Sequence, residues 1–297
     1  MSIPINHHYV SRCQSDNFFD DKNGQIFVLS RESNEIKRKT STKRLFSEDH
    51  ANSKTTGNLD IDSESLEKNL KDNYEDHYCN NVNILKRALD DPDNPPVDFR
   101  NALENLTKFG IIGEARNPNN KRINDENFSK VLFGQIFPYA ASELKRDLEE
   151  LKERLDKTKY SNAITYSEFA DDVFSLMGGI NIRLYQILID RYFLLPDVSS
   201  VHKREKINEY FNPDVKEIAL VGIPLSSKLF LHSQSVKLGK LTDSFQKIQN
   251  EEFPGIIEKL NYGLYTGSYK EVACENYDYL IKFRDNLEVI KEFSTTK

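Results

Sequence analysis

Cysteine is scarce in this 297-residue chain: Cys13, Cys79 and Cys274 are odd in number, far apart and in no CxxC spacing. That excludes a disulfide framework and a zinc knuckle. Long apolar runs are missing as well, since no stretch approaches the roughly 18 residues that a membrane-spanning helix requires. The N-terminus has neither the basic start nor the apolar run of a secretory signal. A cytoplasmic chain with no membrane partner is therefore expected. Positive charge is not in excess: 41 Lys and Arg stand against 47 Asp and Glu, a formal net charge of −6. A protein that coats nucleic acid with its whole surface is excluded, and any polyanion site must be a local patch. No GxGxxG, P-loop, HExxH or GxSxG signature occurs, so the dinucleotide, phosphate-loop, zincin and nucleophile-elbow readings have no support.

Apolar and aromatic residues are present in quantity. Apolar residues make up 38% of the chain, with 18 Phe and 14 Tyr, enough for a real core over this length. The patterning predicts one α+β domain over residues 1–297. Its parts are an N-terminal β-hairpin region (1–46), a helical region (62–178), an antiparallel sheet region (182–234) and C-terminal helices (241–293).

The first 46 residues hold the densest chemistry. His7 and His8 are adjacent imidazoles, near-neutral in pKa and able to act as base, acid or metal ligand. In an extended segment they point to opposite faces, so only one can face a given pocket. Turn formers from Asp20 to Gly24 precede the β-branched run Ile26-Phe27-Val28-Leu29, read as a strand. A turn at Ser33-Asn34 leads to a second strand, Glu35 to Lys39. Between Arg31 and Arg44 there are six basic residues against two acidic ones. This run is either a solvated edge or a surface that meets phosphate.

Beyond it, residues 47–63 read as a loop in which Asp49-His50-Ala51-Asn52 carries residue types of a His-Asn-His nuclease at an unsuitable spacing from His7. A helix follows, with Leu66, Leu70, Val82, Leu85 and Leu89 at helical spacing, and Asp91 to Pro96 breaks it. Phe99, Leu103, Leu106 and Phe109 space a helix that Gly110 is expected to end. A basic Asn/Pro loop follows to Arg122, with the order of a winged-helix reading head but no recognition helix. Leu144, Leu148, Leu151 and Leu155 form an apolar seam, so the 144–155 helix is a candidate protein-docking face or one arm of a hairpin. Thr165-x-x-Glu168 is a capping-box pattern, and Gly178-Gly179 closes its helix. The period then changes. Leu184 to Ile189 and Tyr192 to Leu195 read as two strands of a hairpin ending at Pro196-Asp197. After a charged segment (residues 202–206) and a break at Asn212-Pro213-Asp214 come strands at Glu217–Ile223 and Lys228–His232. From Leu241 the pattern is helical.

Three short motifs fall in order along this outline: His7-His8-Tyr9-Val10-Ser11, Leu195-Pro196-Asp197-Val198-Ser199-Ser200 and Ile223-Pro224-Leu225-Ser226. In them the chain resembles a bacterial family, domain of unknown function 4238, whose members open with a His-His-Tyr-Val-Pro type segment and a hairpin. Ser11 stands where that family has proline, and Pro196 departs from its Ser-Asp-Asn-Pro type turn. The resemblance covers most of the chain and implies a shared fold and a bacterial origin, with no settled reaction.

The functional expectation is a bacterial hydrolase acting on nucleic acid or another phosphodiester, of the phage-defence or toxin-like effector kind. His7, His8 and Asp197 are the candidate catalytic residues, with His202 and His232 as more distant candidates. Arg12, Lys43, Arg44 and Arg204 are the candidate substrate-binding cations, and a divalent metal is the candidate cofactor. The alternative is a non-catalytic module in which the same basic hairpin docks nucleic acid or an acidic protein while His8 and Asp197 pack. In that reading Asp197 caps a turn.

Overall fold

The computed structural model describes residues 6–20, 22–56, 60–162, 164–208, 215–239 and 242–295. Asp21, Gly57-Asn58, the break at Asn212-Pro213-Asp214 and Leu241 lie outside the described residues. The chain begins with β1 (Asn6–His8), α1 (Arg12–Ser15), β2 (Ile26–Ser30), β3 (Ile36–Lys39), β4 (Ser47–Asp49), β5 (Lys54–Thr55) and β6 (Ile61–Asp62). Helices follow: α2 (Ser65–Leu70), α3 (Asp76–Asp90), α4 (Phe99–Arg116), α5 (Pro118–Ser129), α6 (Ser142–Asp156) and α7 (Tyr166–Met177). Then come β7 (Ile180–Ile187), β8 (Leu195–Pro196), β9 (Val201–Glu205), β10 (Glu217–Ser226), β11 (Leu229–Ser235) and β12 (Ser244–Ile248). The last elements are α8 (Ile256–Gly267), β13 (Glu271–Cys274), α9 (Tyr277–Asp285) and α10 (Leu287–Thr295). The class is α+β, as the patterning predicts.

Two sheets carry the architecture. The larger has the order β12-β7-β11-β10-β9, antiparallel except where β12 runs parallel to β7. The smaller has the order β3-β2-β13-β8, so the N-terminal hairpin and the strand that leads into Asp197 share one sheet. Period-2 alternation explains how the large sheet buries both faces. Ile182 and Leu184 of β7 join the core formed with α3, α4 and α7, while Tyr185 and Ile187 point the other way into a second core. That second core contains Phe27 and Leu29 of β2, Val272 of β13 and Leu280 and Phe283 of α9. The result is a helical layer, a central sheet, and a smaller sheet with its own helices.

Helix α4 is the element that departs most from expectation. Gly110 does not end it; the helix runs on to Arg116. The reason is steric. A Cβ at Gly110 would stand 2.5 Å from Ile223 Cδ1, and one at Gly113 would stand 2.6 Å from the Val198 carbonyl oxygen. The glycines let the helix lie against β10 and the Asp197 turn. The Asn/Pro stretch beyond it is not a loop, because Pro118 occupies the first turn of α5, where its missing N–H costs nothing, and the Asn117 side chain caps the helix by accepting from Asn119 N–H at 2.8 Å.

Other expectations are corrected too. Residues 184–195 do not form a hairpin: β7 and β8 belong to different sheets, separated by irregular chain. The charged stretch at 202–206 is mostly strand β9, an edge strand whose side chains face solvent or the cleft described below. The C-terminal region is not purely helical, since it contributes β12 to the large sheet and β13 to the small one. Residues 47–63 contain short strands β4 and β5, with β6 at their end. Helix α7 starts after Thr165 as expected, without the side-chain bonds of a capping box, and ends at Gly178 with φ 69°. In α6, Leu148 is buried and Leu144 is 44% exposed, so the seam packs partly on its own fold.

Candidate functional site

The N-terminal strand β1 pairs with β4, His7 opposite Glu48 and His8 opposite Ser47. The imidazoles do face opposite ways. His7 is buried, and its Nδ1 accepts the Asn52 N–H at 2.8 Å. The residue types noted at positions 49–52 thus meet His7 after all, through the Asn52 backbone. The Asn52 side chain is itself a junction: its Oδ1 accepts from Lys121 Nζ at 2.7 Å and from the Tyr166 hydroxyl at 2.6 Å, and its amide donates to the Glu67 carboxylate. Lys121 Nζ also donates to the Ala51 carbonyl at 2.8 Å and to Asn162 Oδ1 at 2.7 Å. Burial pushes the Lys121 amine down to about 7, and the Arg116 charge adds to the shift.

His8, less buried, donates from Nε2 to the Lys43 carbonyl at 3.0 Å. Its backbone carbonyl accepts from buried Arg116, which also donates to Ser11 Oγ at 2.7 Å. Burial lowers the His8 pKa, and the positive charges of Arg116 and Arg12 push the same way. Arg12, His8 and Lys43 therefore lie in one neighbourhood, with the Arg12, Lys43 and Arg44 side chains exposed. Arg204 belongs to a different wall.

Asp197 follows β8 and is buried. Its carboxylate accepts three backbone N–H groups: Tyr269 at 2.7 Å, Lys270 at 2.7 Å and Glu271 at 3.0 Å. That is the geometry of a cap, holding the turn between α8 and β13. Burial pushes its pKa up to about 6 against the opposing pull of those three donors. The carboxylate of Asp197 is taken up by those three donors, and its charge is felt at Tyr9, the residue after the imidazoles. Burial raises the Tyr9 phenol well above its usual value, and the negative charges of Asp197 and Glu271 add to the effect.

Gln14 of α1 ties the three motifs together. Its amide donates to the Ser199 and Pro224 carbonyls, both at 2.9 Å, and its oxygen accepts from Ser199 Oγ at 2.6 Å. Ser199 itself sits at φ 68°, an uncommon conformation for a residue with a side chain. One glutamine thus links the His-His-Tyr segment, the Asp197 turn and the Ile-Pro-Leu-Ser strand.

Above that turn opens a cleft of about 750 Å³. Strand β9 supplies His202, Lys203 and Arg204; the α4–α5 junction supplies Glu114, Asn117, Asn119 and Asn120; Arg31, Ser268 and Tyr269 close the far side. His202 Nε2 lies 3.1 Å from the Gly110 carbonyl and 3.3 Å from Ser200 Oγ, and Nδ1 lies 3.6 Å from the Glu114 carboxylate. Burial lowers the His202 pKa, with Glu114 pulling the other way. Arg204 is ion-paired to Glu114. His232 lies on β11 opposite Arg183 and does not line the cleft; burial and the Arg183 charge push it down to about 4. Among the described residues, no group of three His, Cys, Asp or Glu side chains stands where it could share a metal ion. No described helix is long and apolar enough to cross a membrane.

Sequence reasoning did not find Gln14, Arg116, Lys121 or Glu114. Polar residues with no pattern of their own gave no signal; only the tertiary fold brings them into contact.

No curated protein and no solved structure matches the chain. The family described as protein of unknown function (DUF4238) matches residues 6–276, a span that holds all three linked motifs and every wall of the cleft, and the chain belongs to that family.

Proposed function

We propose that the protein binds nucleic acid or another phosphodiester in the cleft beside the Asp197 turn. The observation that carries this reading is the charge at the lining: the three cations Arg31, Lys203 and Arg204 stand against two carboxylates, Glu114 in the lining and Glu205, which pairs with Lys203 at 2.9 Å. In a chain of net charge −6, that is the local patch such a ligand requires. Asn119 and Asn120, in the first turn of α5, face the same space, and a helix start favours negative charge. The first test is fluorescence anisotropy with labelled DNA and RNA oligonucleotides across a salt series. Lys203 is exposed and outside the core, so Lys203→Ala is expected to keep the fold and weaken binding about threefold to tenfold, with a shallower salt dependence. No binding of either nucleic acid at low salt would refute the reading.

Hydrolysis is the second reading, and one contact favours it. His202 donates from Nε2 to the Gly110 carbonyl at 3.1 Å, which leaves Nδ1, 3.6 Å from the Glu114 carboxylate at the cleft, as the ring nitrogen able to accept a proton as a general base. In this reading the protein is a bacterial nuclease-like effector and His202→Ala abolishes cleavage. Release of nucleotides by the parent protein, with Mg²⁺ or Mn²⁺ supplied, is the measurement; no release with either ion leaves the binding module. The catalytic roles first expected of His7, His8 and Asp197 are tested beside it with His8→Ala and Asp197→Asn.

A further inference from the structure

The cleft continues past Glu114. Across the Glu114–Arg204 ion pair lies a second cavity of about 610 Å³, and Glu114, Asn120 and Arg204 line both spaces. The two chemistries contrast. The second cavity has aromatic walls from Phe128, Tyr160, Tyr166 and Phe169, with Ile123 and Ile164 beside them. Three of these apolar side chains are uncovered: Phe128 is 44% exposed, Ile123 41% and Ile164 55%. Apolar surface left in water costs about 25 cal/mol per Å², so an apolar face seated here is favoured. Polar groups stand between the apolar walls, several already fixed: Ser161 donates from its backbone N–H to the Asp125 carboxylate at 3.1 Å. Lys121 lies 7% exposed beneath, and Asn162 is held by the Ala51 and Ser53 carbonyls at 3.1 and 2.7 Å. Aromatic walls with positioned polar atoms are the usual make-up of a small-molecule pocket.

We infer that the paired cavities seat one unpaired nucleotide of a single strand, its phosphates along Arg31, Lys203 and Arg204 and its base in the aromatic cavity. The inference rests on the phosphate-binding reading above and names the ligand unit. Continuity through a shared wall is the main argument. A ligand spanning both cavities must be anionic at one end and flat, apolar-faced and polar-edged at the other. A nucleobase has that form: its face stacks on Tyr and Phe, and its edge meets the Asn124 amide, which lines the cavity and is exposed. A paired base inside a duplex does not offer its face, so the strand must be single or the base extruded.

The test compares an oligonucleotide with its abasic counterpart, which has the same phosphates and no bases, and with the matching duplex. The parent protein is expected to bind the base-bearing single strand at least about tenfold tighter than the abasic strand, in line with stacking of one base, and tighter than the duplex. Phe128→Ala and Ile164→Ser, both at exposed positions, should each lower the affinity for the base-bearing strand toward that of the abasic one. Equal binding of the base-bearing and abasic strands overturns the base site and leaves the phosphate cleft standing. No binding of any strand overturns the phosphate cleft, and the base site with it. A base-dependent gain that survives both substitutions also overturns the inference, because the base then sits elsewhere.

Discussion

The buried cluster around Asn52 and the cleft around His202 are built from the same residue types, and they differ in how many polar atoms are already used. Around Asn52, Lys121 Nζ has four oxygen partners, Asn52 Oδ1 accepts two donors, and His7 Nδ1 holds a backbone N–H. Those groups are buried, and a buried polar group left unmatched would be costly. In the cleft, Lys203 and Arg204 each have a carboxylate partner, Glu205 and Glu114, yet their side chains stay 67% and 47% exposed and keep N–H donors for a ligand. Saturation marks scaffold, and residual capacity marks a place where a ligand gains something by arriving. By that criterion the conspicuous histidine pair reads mostly as scaffold, and the inconspicuous charged strand β9 carries the proposed site.

Arg116→Met strikes the saturated side and should have the largest effect. It strands the His8 carbonyl and Ser11 hydroxyl inside the protein and removes the cation 4.0 Å from Glu75. A loss of about 3–5 kcal/mol is expected in denaturant unfolding; a loss under about 1 kcal/mol would mean that this cluster is not structural. Asp197→Asn comes next. Either rotamer of the amide turns an N–H toward the donors of residues 269–271, so stability should fall by about 1–3 kcal/mol. A catalytic Asp197 would instead lose activity at an unchanged melting temperature, which makes paired melts and assays decisive.

His202→Gln tests the cleft side and should change stability least; with the Gly110 and Ser200 contacts of a nearly buried ring at stake, a loss of about 0.5–1.5 kcal/mol is expected at pH 8. Its effect lies in pH dependence. The folded-state pKa of His202 is lowered from 6.5, so its contribution to stability is present above 6.5 and lost as pH falls through the folded value. Protonation also adds positive charge beside the cleft, so anion binding by the parent protein should strengthen as pH falls below 6.5. The variant should lack that rise; an identical pH profile would remove His202 from the site.

Much of the fold was legible because it is written in local periods. The stripe of α3, the break from Asp91 to Pro96 and the β2–β3 hairpin follow from spacing and turn chemistry alone. The errors share one cause, which is dependence on remote partners. Gly110 looks like a helix stop until Ile223 is known to lie against it. Strand β9 has no apolar signature because it is a charged edge, and β13 is too short to be read without β2 beside it. The site suffered more. Arg204 could be named as a cation, yet nothing near it in sequence announces Glu114 or the α4–α5 junction, and burial of Arg116 and Lys121 is a property of the assembled fold.

The pairing of β2 with β13 has a consequence for how the chain comes into being. Leu29 lies beside Val272 and Phe27 beside Cys274, so one edge of the N-terminal hairpin has its partner near the far end of the chain. During synthesis at about 5–20 residues per second, that edge waits on the order of tens of seconds before its neighbour emerges. Throughout that interval the apolar face of β2 and the open edge of its backbone are available to other chains. The basic residues of β3, Lys37, Arg38 and Lys39, flank the hairpin on its other side, where like-charge repulsion between nascent copies discourages premature edge-to-edge pairing.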